Sequence, residues 1–398
     1  MNRREALAGC AALAAPVHLA ARGGGVSGPT AGVAWGMDAL AVLRLGEAAR
    51  LHTLDGPLAD APALTADAVW TLTASGRLQR WPFVASPGQS DTRLLAPTPH
   101  ALAASADGRV VALAQADALV LLDATAPPDA PPLKVYAGTD VERRRRARAA
   151  ALRALPSRRS LLATWPSLGE WWEVSLDPAA PPLYEGLVHD HRMGEGLPTP
   201  GYLAVRRAPL GDAMPTPDHI GATQPWVAGR AGDDVAVVHL DVRREIARWK
   251  LPGARPQGAC GHDDGRGPRW WLPHGNAIVE IDPRRWVIAA RHDAPGAVLA
   301  LQALPAGIGG DAVRLWGLFE VGGRVRLATR IGGAWTWLDG AARHPTSCVA
   351  DTARRRLLVM GSDPPAVTSL DGEGRTTDTW SLPAGFRGRG LAIPPQPL

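Results

Sequence analysis

With 398 residues, 46% of them hydrophobic and only 20% charged, the chain has too much apolar sequence for global disorder. Its formal net charge of +5 comes with no aromatic-interleaved basic platform, which argues against nucleic acid as a partner. No apolar run approaches the roughly 18 residues needed to span a bilayer, and 44 Gly with 37 Pro predict many turns and few long helices.

The first 21 residues have the build of an export signal: Arg3 and Arg4, a small apolar stretch over residues 6–15, and small residues around Ala20 and Ala21. The adjacent arginines resemble a twin-arginine signal, which implies export of the folded protein to the periplasm. Leu7, Ala8, Gly9 and Cys10 also read as a lipoprotein box, but too little apolar sequence precedes Cys10 for it to work as one. Removal of the segment leaves Cys260 and Cys348, which either form one disulfide or stay as buried free thiols. No cysteine spacing of the metal-binding type is present.

From residue 30 to 398 a strand, a tight turn and a second strand ending on aspartate recur, as in residues 110–123, 161–177, 226–241, 270–282 and 357–371. A unit returning about every 40–55 residues predicts propeller blades, because one small sheet cannot bury both faces until neighbours stack on it. Paired β-rich runs begin near Val33, Val69, Val110, Leu161, Trp226, Trp270, Leu315 and Leu357, predicting an all-β, eight-bladed propeller of four-stranded antiparallel blades. Trp35, Trp70, Trp165, Trp226, Trp270, Trp316 and Trp335 lie in or beside these strands, where flat side chains fill the wedge between blades.

Two stretches break the rhythm. Residues 142–159 carry Arg143, Arg144, Arg145, Arg146, Arg148, Arg153, Arg158 and Arg159 among alanines, which predicts a short exposed helix, either a solvated face or a patch for an anionic partner. Residues 189–220 are rich in Gly, Pro, His and Arg and too long for an ordinary blade connection, which marks them as the first place to look for chemistry.

The run PTPHALAASADGRVVALAQADALVLLDA at residues 97–124 resembles the haem-ligand region of the d1-type haem domain in cytochrome cd-type nitrite reductases and their stand-alone relatives. HDHRMGEG at 189–196 and VVHLDVRREIARWKLPG at 237–253 are similar to the stand-alone members. The resemblance implies a haem d1 or related tetrapyrrole in the central channel, with His100 as proximal iron ligand through a neutral imidazole nitrogen. His189, with His191 or His219 as substitutes, would be the distal general acid, and Arg192, Arg206 and Arg207 would reach macrocycle carboxylates. Where the family has a second distal histidine this chain has Gln257, which hydrogen-bonds but supplies no proton. Thr73, Ala114 and Gln115 stand where carboxylate-binding arginines are expected, and there is no Cys-x-x-Cys-His for a covalent haem.

Each of these residues also has a plain structural reading. His100 at a strand start can be a satisfied structural histidine, His189 and His191 can bond Asp190 and Glu195, His219 can cap its loop, and His239 reads as a blade-surface residue. No nucleophile–base pair, phosphate loop or carboxylate dyad stands out. The expectation is a periplasmic propeller that binds, matures or senses a tetrapyrrole, with a periplasmic redox or biosynthesis protein as partner, rather than a self-sufficient nitrite reductase. The alternative is a cofactor-free propeller whose rim is a protein-interaction surface.

Overall fold

The structure, a computed structural model, describes residues 30–83, 91–183, 199–212, 214–221, 225–263, 267–306 and 312–395. Eight four-stranded antiparallel sheets form a ring, an all-β propeller. Numbered along the chain, the inner strands of blades 2 to 8 are Ala63–Leu64, Pro99–Ala104, Ala151–Leu155, His219–Ile220, Cys260–Asp263, Ala297–Ala306 and Pro345–Asp351. Each is followed by its second, third and outer strands. Blade 1 closes the ring: its inner strand is the chain's last, Gly390–Ala392, which pairs with the first, Thr30–Trp35. The inner strands pack on one another around the hub, so each connection from an outer strand to the next inner strand arrives at the same mouth of the channel.

All eight expected runs are second strands of blades, from Thr30–Trp35 to Arg356–Ser362. The reason is burial: both faces of a blade are covered by neighbours, so Val110–Gln115 and Ser160–Trp165 are buried at every position and read as continuous apolar runs. Outer strands such as Val287–Asp293 alternate exposed and half-buried residues instead. Trp165, Trp171, Trp172, Trp270 and Trp316 are fully buried between blades, while Trp335 sits at the edge and packs edge-on to Phe319.

The expected helix over 142–159 is a correction. Residues 138–150 are an irregular connection, Ala151–Leu155 is the inner strand of blade 4, and Pro156–Arg158 is a single 3₁₀ turn. Helix propensity lost to two stronger effects. Asp140 Oδ1 accepts the backbone N–H groups of Arg144 at 2.7 Å and Arg145 at 3.2 Å, which holds a turn. Blade 4 also needs an inner strand at this place in the chain to cover its core.

Cys260 and Cys348 are free and buried. Cys260 packs with Leu301 and Ala303, and Cys348 with Ala300 and Leu304, so the inner strand of blade 7 runs between them. Burial raises the Cys348 thiol to about 12 and raises Cys260 as well, which leaves both as inert core residues. Among the described residues, no helix is long and apolar enough to cross a membrane.

Candidate functional site at the entry mouth of the channel

His100 is the second residue of the inner strand of blade 3, and its side chain closes the seam with blade 4. Nε2 lies 2.6 Å from the carbonyl oxygen of Ala149, and the guanidinium Nε of Arg148 lies 3.2 Å from Nε2 and 3.3 Å from Nδ1. A carbonyl only accepts, so Nε2–H donates to Ala149, and the ring's lone pair is left at Nδ1 with the Arg148 guanidinium lying against it. An iron ligand must offer a ring lone pair. As placed, His100 would have to give up its Arg148 contact to offer one.

Below His100 the channel wall carries a charged group that the sequence reading did not single out. Asp60, in the connection entering blade 2, accepts the N–H of Ala61 at 2.8 Å and that of Leu102, in the inner strand of blade 3, at 3.0 Å. Asp218, just before the inner strand of blade 5, accepts the Thr216 hydroxyl at 2.7 Å and the Arg230 N–H at 3.2 Å. Burial holds both carboxyls above the ordinary carboxylate value, against those hydrogen bonds and against the charge of Arg153, which acts on both.

The mouth itself is rich in arginine. Arg255, Arg343, Arg387 and Arg389 lie in the connections that enter blades 6, 8 and 1. None has a carboxylate within ion-pair distance among the described residues, whereas arginines such as Arg146, Arg158, Arg248 and Arg356 are paired. Gln257 lies at the same mouth, in a 3₁₀ turn over Pro256–Gly258 that is packed so closely on blade 7 that a Cβ at Gly258 would sit 2.5 Å from the Leu299 carbonyl oxygen.

The remaining candidates are elsewhere. Arg206 and Arg207 belong to Val205–Pro209, the outer strand of blade 4, rather than to the mouth. The Arg207 guanidinium stacks over Trp172 at 4.2 Å and donates to the Thr139 carbonyl at 2.9 Å, a rim contact between blades 3 and 4. His189, His191 and Arg192 fall outside the described residues, as does the export segment. The connection that carries them leaves blade 4 after Ser175 and re-enters at Val205, at the end of the blade opposite the one His100 adjoins. His219 is buried, stacks on Trp270 with ring centroids 5.4 Å apart and lies tilted against Trp226 at 5.6 Å, and so is a core residue. His239 ends a third strand and accepts the Asp241 N–H at Nδ1.

The missed residues share one cause. Asp60 and Asp218 sit just before inner strands of two residues, and the four mouth arginines sit in connections that are themselves irregular, so none carries a periodic signal.

No protein-family model matches the sequence, and no curated protein matches it. Among solved structures, the chain is similar to dihydro-heme d1 dehydrogenase NirN in complex with DHE. The TM-score is 0.68 at 15% identity, over 95% of this chain and 78% of that one. The chain thus shares the fold of that protein, as the resemblance read from residues 97–124 and 189–253 implied. A chain of a mitotic checkpoint complex, at TM-score 0.45 and 10% identity over 81% of this chain and 86% of that one, is a more distant match. So is BamB from Moraxella catarrhalis, at 0.49 and 14% over 85% and 90%.

Proposed function

We propose that this propeller binds a carboxylate-bearing tetrapyrrole at the entry mouth of its channel and handles it as cargo, without iron ligation by His100. The observation that carries this reading is the set Arg255, Arg343, Arg387 and Arg389 at one mouth, with no ion pair among the described residues. Arginine clamps carboxylates in a two-point fork, and four of them around one opening suit a flat, multiply anionic ligand. The d1-haem-domain fold supports the ligand class. Gln257 at the same mouth supplies a hydrogen bond and no proton, which favours binding over reduction chemistry. A periplasmic location belongs to this reading and rests on Arg3, Arg4 and the apolar stretch after them.

The test is absorbance titration of the full chain with haemin, metal-free protoporphyrin and their dimethyl esters. Both acids are expected to shift the Soret band and both esters to fail. Arg387→Ala with Arg389→Ala should weaken binding by about tenfold or more, since each charge-assisted bond is worth about 1.5–3 kcal/mol. His100→Ala should retain binding. Equal behaviour of acid and ester would reject the arginine clamp. No spectral change with any of the four would favour a cofactor-free scaffold, the reading that the engaged ring of His100 supports.

A further inference from the structure

The ring is not filled evenly. Between blades 2 and 3 an open pocket of about 410 Å³ runs along the outer half of the seam. Its walls include Pro97, Ala118, Val120, Leu122 and Val135, with Arg93, Gln115 and Asp117 among them, the last ion-paired with Arg146. Ala118, Val120 and Leu122 alternate along the third strand of blade 3 and so share one face. Blades diverge outwards, so small side chains on that face leave space that other seams fill with indole rings. The volume lies within the range of about 300–1,000 Å³ common for small-molecule sites.

Arg93 sets the chemistry of the occupant. The residue is only 8% exposed, and its Nη2 donates to the carbonyl oxygens of Ala126 at 2.6 Å and Asp123 at 3.3 Å. Its other N–H groups have no partner among the described residues, and no carboxylate lies within ion-pair distance of it there. The Asp123 carboxylate is held instead by the Thr125 N–H and hydroxyl, at 2.8 and 2.7 Å. A nearly buried guanidinium that makes no ion pair among the described residues, on the wall of a mainly apolar pocket, is complementary to an apolar body that ends in a carboxylate.

We infer that the seam between blades 2 and 3 is a binding site for a small apolar monocarboxylic acid, separate from the channel mouth. Calorimetric titration of the full chain with phenylbutyrate and with phenylbutanol, which has the same body without the charge, tests it. The acid is expected to bind at least about tenfold more tightly than the alcohol, the usual scale of a charge-assisted bond. Ala118→Trp, which fills the pocket, should abolish binding with the melting temperature retained, and Arg93→Met should equalise acid and alcohol. Arg387→Ala with Arg389→Ala should change nothing here, which separates this site from the mouth. Equal affinity of wild type for acid and alcohol, undiminished binding to Ala118→Trp, or no heat with millimolar acid would each overturn the assignment. Ala118→Trp carries the test alone if Arg93→Met does not fold.

Discussion

The seam between blades 5 and 6 and the seam between blades 2 and 3 solve the same packing problem in opposite ways. In the first, Trp226, Trp249, Trp270, Trp286 and His219 pack ring on ring, with centroids 5.2 to 6.5 Å apart. In the second, the described cluster contains a single indole, that of Trp70, and Leu102, Leu113, Val120 and Leu122 cover the rest. Two blades that splay apart need volume at the periphery. Where the sequence supplies indoles the seam is solid, and where it supplies alanine and valine the seam stays open. The contrast teaches that a propeller can leave open volume in its seams as well as in its hub.

The contrast is sharpest for truncations. Trp270→Ala should cost about 3–5 kcal/mol in urea unfolding, because a fully buried indole leaves a cavity that its ring neighbours cannot fill. Leu122→Ala, beside the open pocket, should cost clearly less, at about 1–2 kcal/mol. Similar losses at the two positions would break the comparison.

A third seam, between blades 4 and 5, adds charge to an apolar cluster that includes Leu162, Trp171, Val227 and Val238. Arg158 donates to Glu173 Oε1 at 2.7 Å and Oε2 at 3.0 Å, and pairs with Asp241 at 2.9 Å. Arg158→Met would leave Glu173 nearly buried without a counter-ion, at an expected cost of about 3 kcal/mol in the same unfolding assay. A loss under about 1 kcal/mol would show the pair to behave as a surface contact.

In the opposite direction, Val120→Phe adds volume to the open seam and should stabilise by up to about 1 kcal/mol, read as a rise in the urea midpoint. A loss of stability would mean that the pocket walls are already in contact.

The smallest effects are in pH dependence, where two carboxyls differ as the seams do. Burial raises Glu280, but hydrogen bonds from His292 and Arg269 outweigh it and hold the group below the ordinary carboxylate value. Its contribution is present above the unfolded value and is lost as pH falls through the folded one. Asp60 is the reverse: burial holds it above the ordinary value, so its folded state binds the proton more tightly. That contribution is present below the unfolded value and is lost as pH rises through the folded one. Unfolding midpoints between about pH 3 and 7 should therefore lose part of their acid-side fall in Glu280→Gln and part of their fall with rising pH in Asp60→Asn. The same change of slope in both variants would contradict the opposite shifts.

Repetition, blade number and the burial of most tryptophans could be read from the residues alone, because second and third strands are sandwiched on both faces and must be apolar throughout. The likeness to d1-haem-domain propellers was also legible, in runs such as residues 97–124. What could not be read was direction. Whether Arg207 points to a channel or stacks on Trp172, and whether His100 offers a nitrogen or holds its ring against Ala149 and Arg148, depends on which strand of the blade carries the residue and which neighbour lies across the seam. Ala149 and Arg148 are 49 and 48 residues from His100, and Trp172 faces Arg207 across two strands of one blade, so only the folded sheets bring these groups together. The mouth arginines and Asp60 were hidden for the same reason. Their connections have no periodicity, and they acquire a common site only when eight inner strands enter the hub from one side.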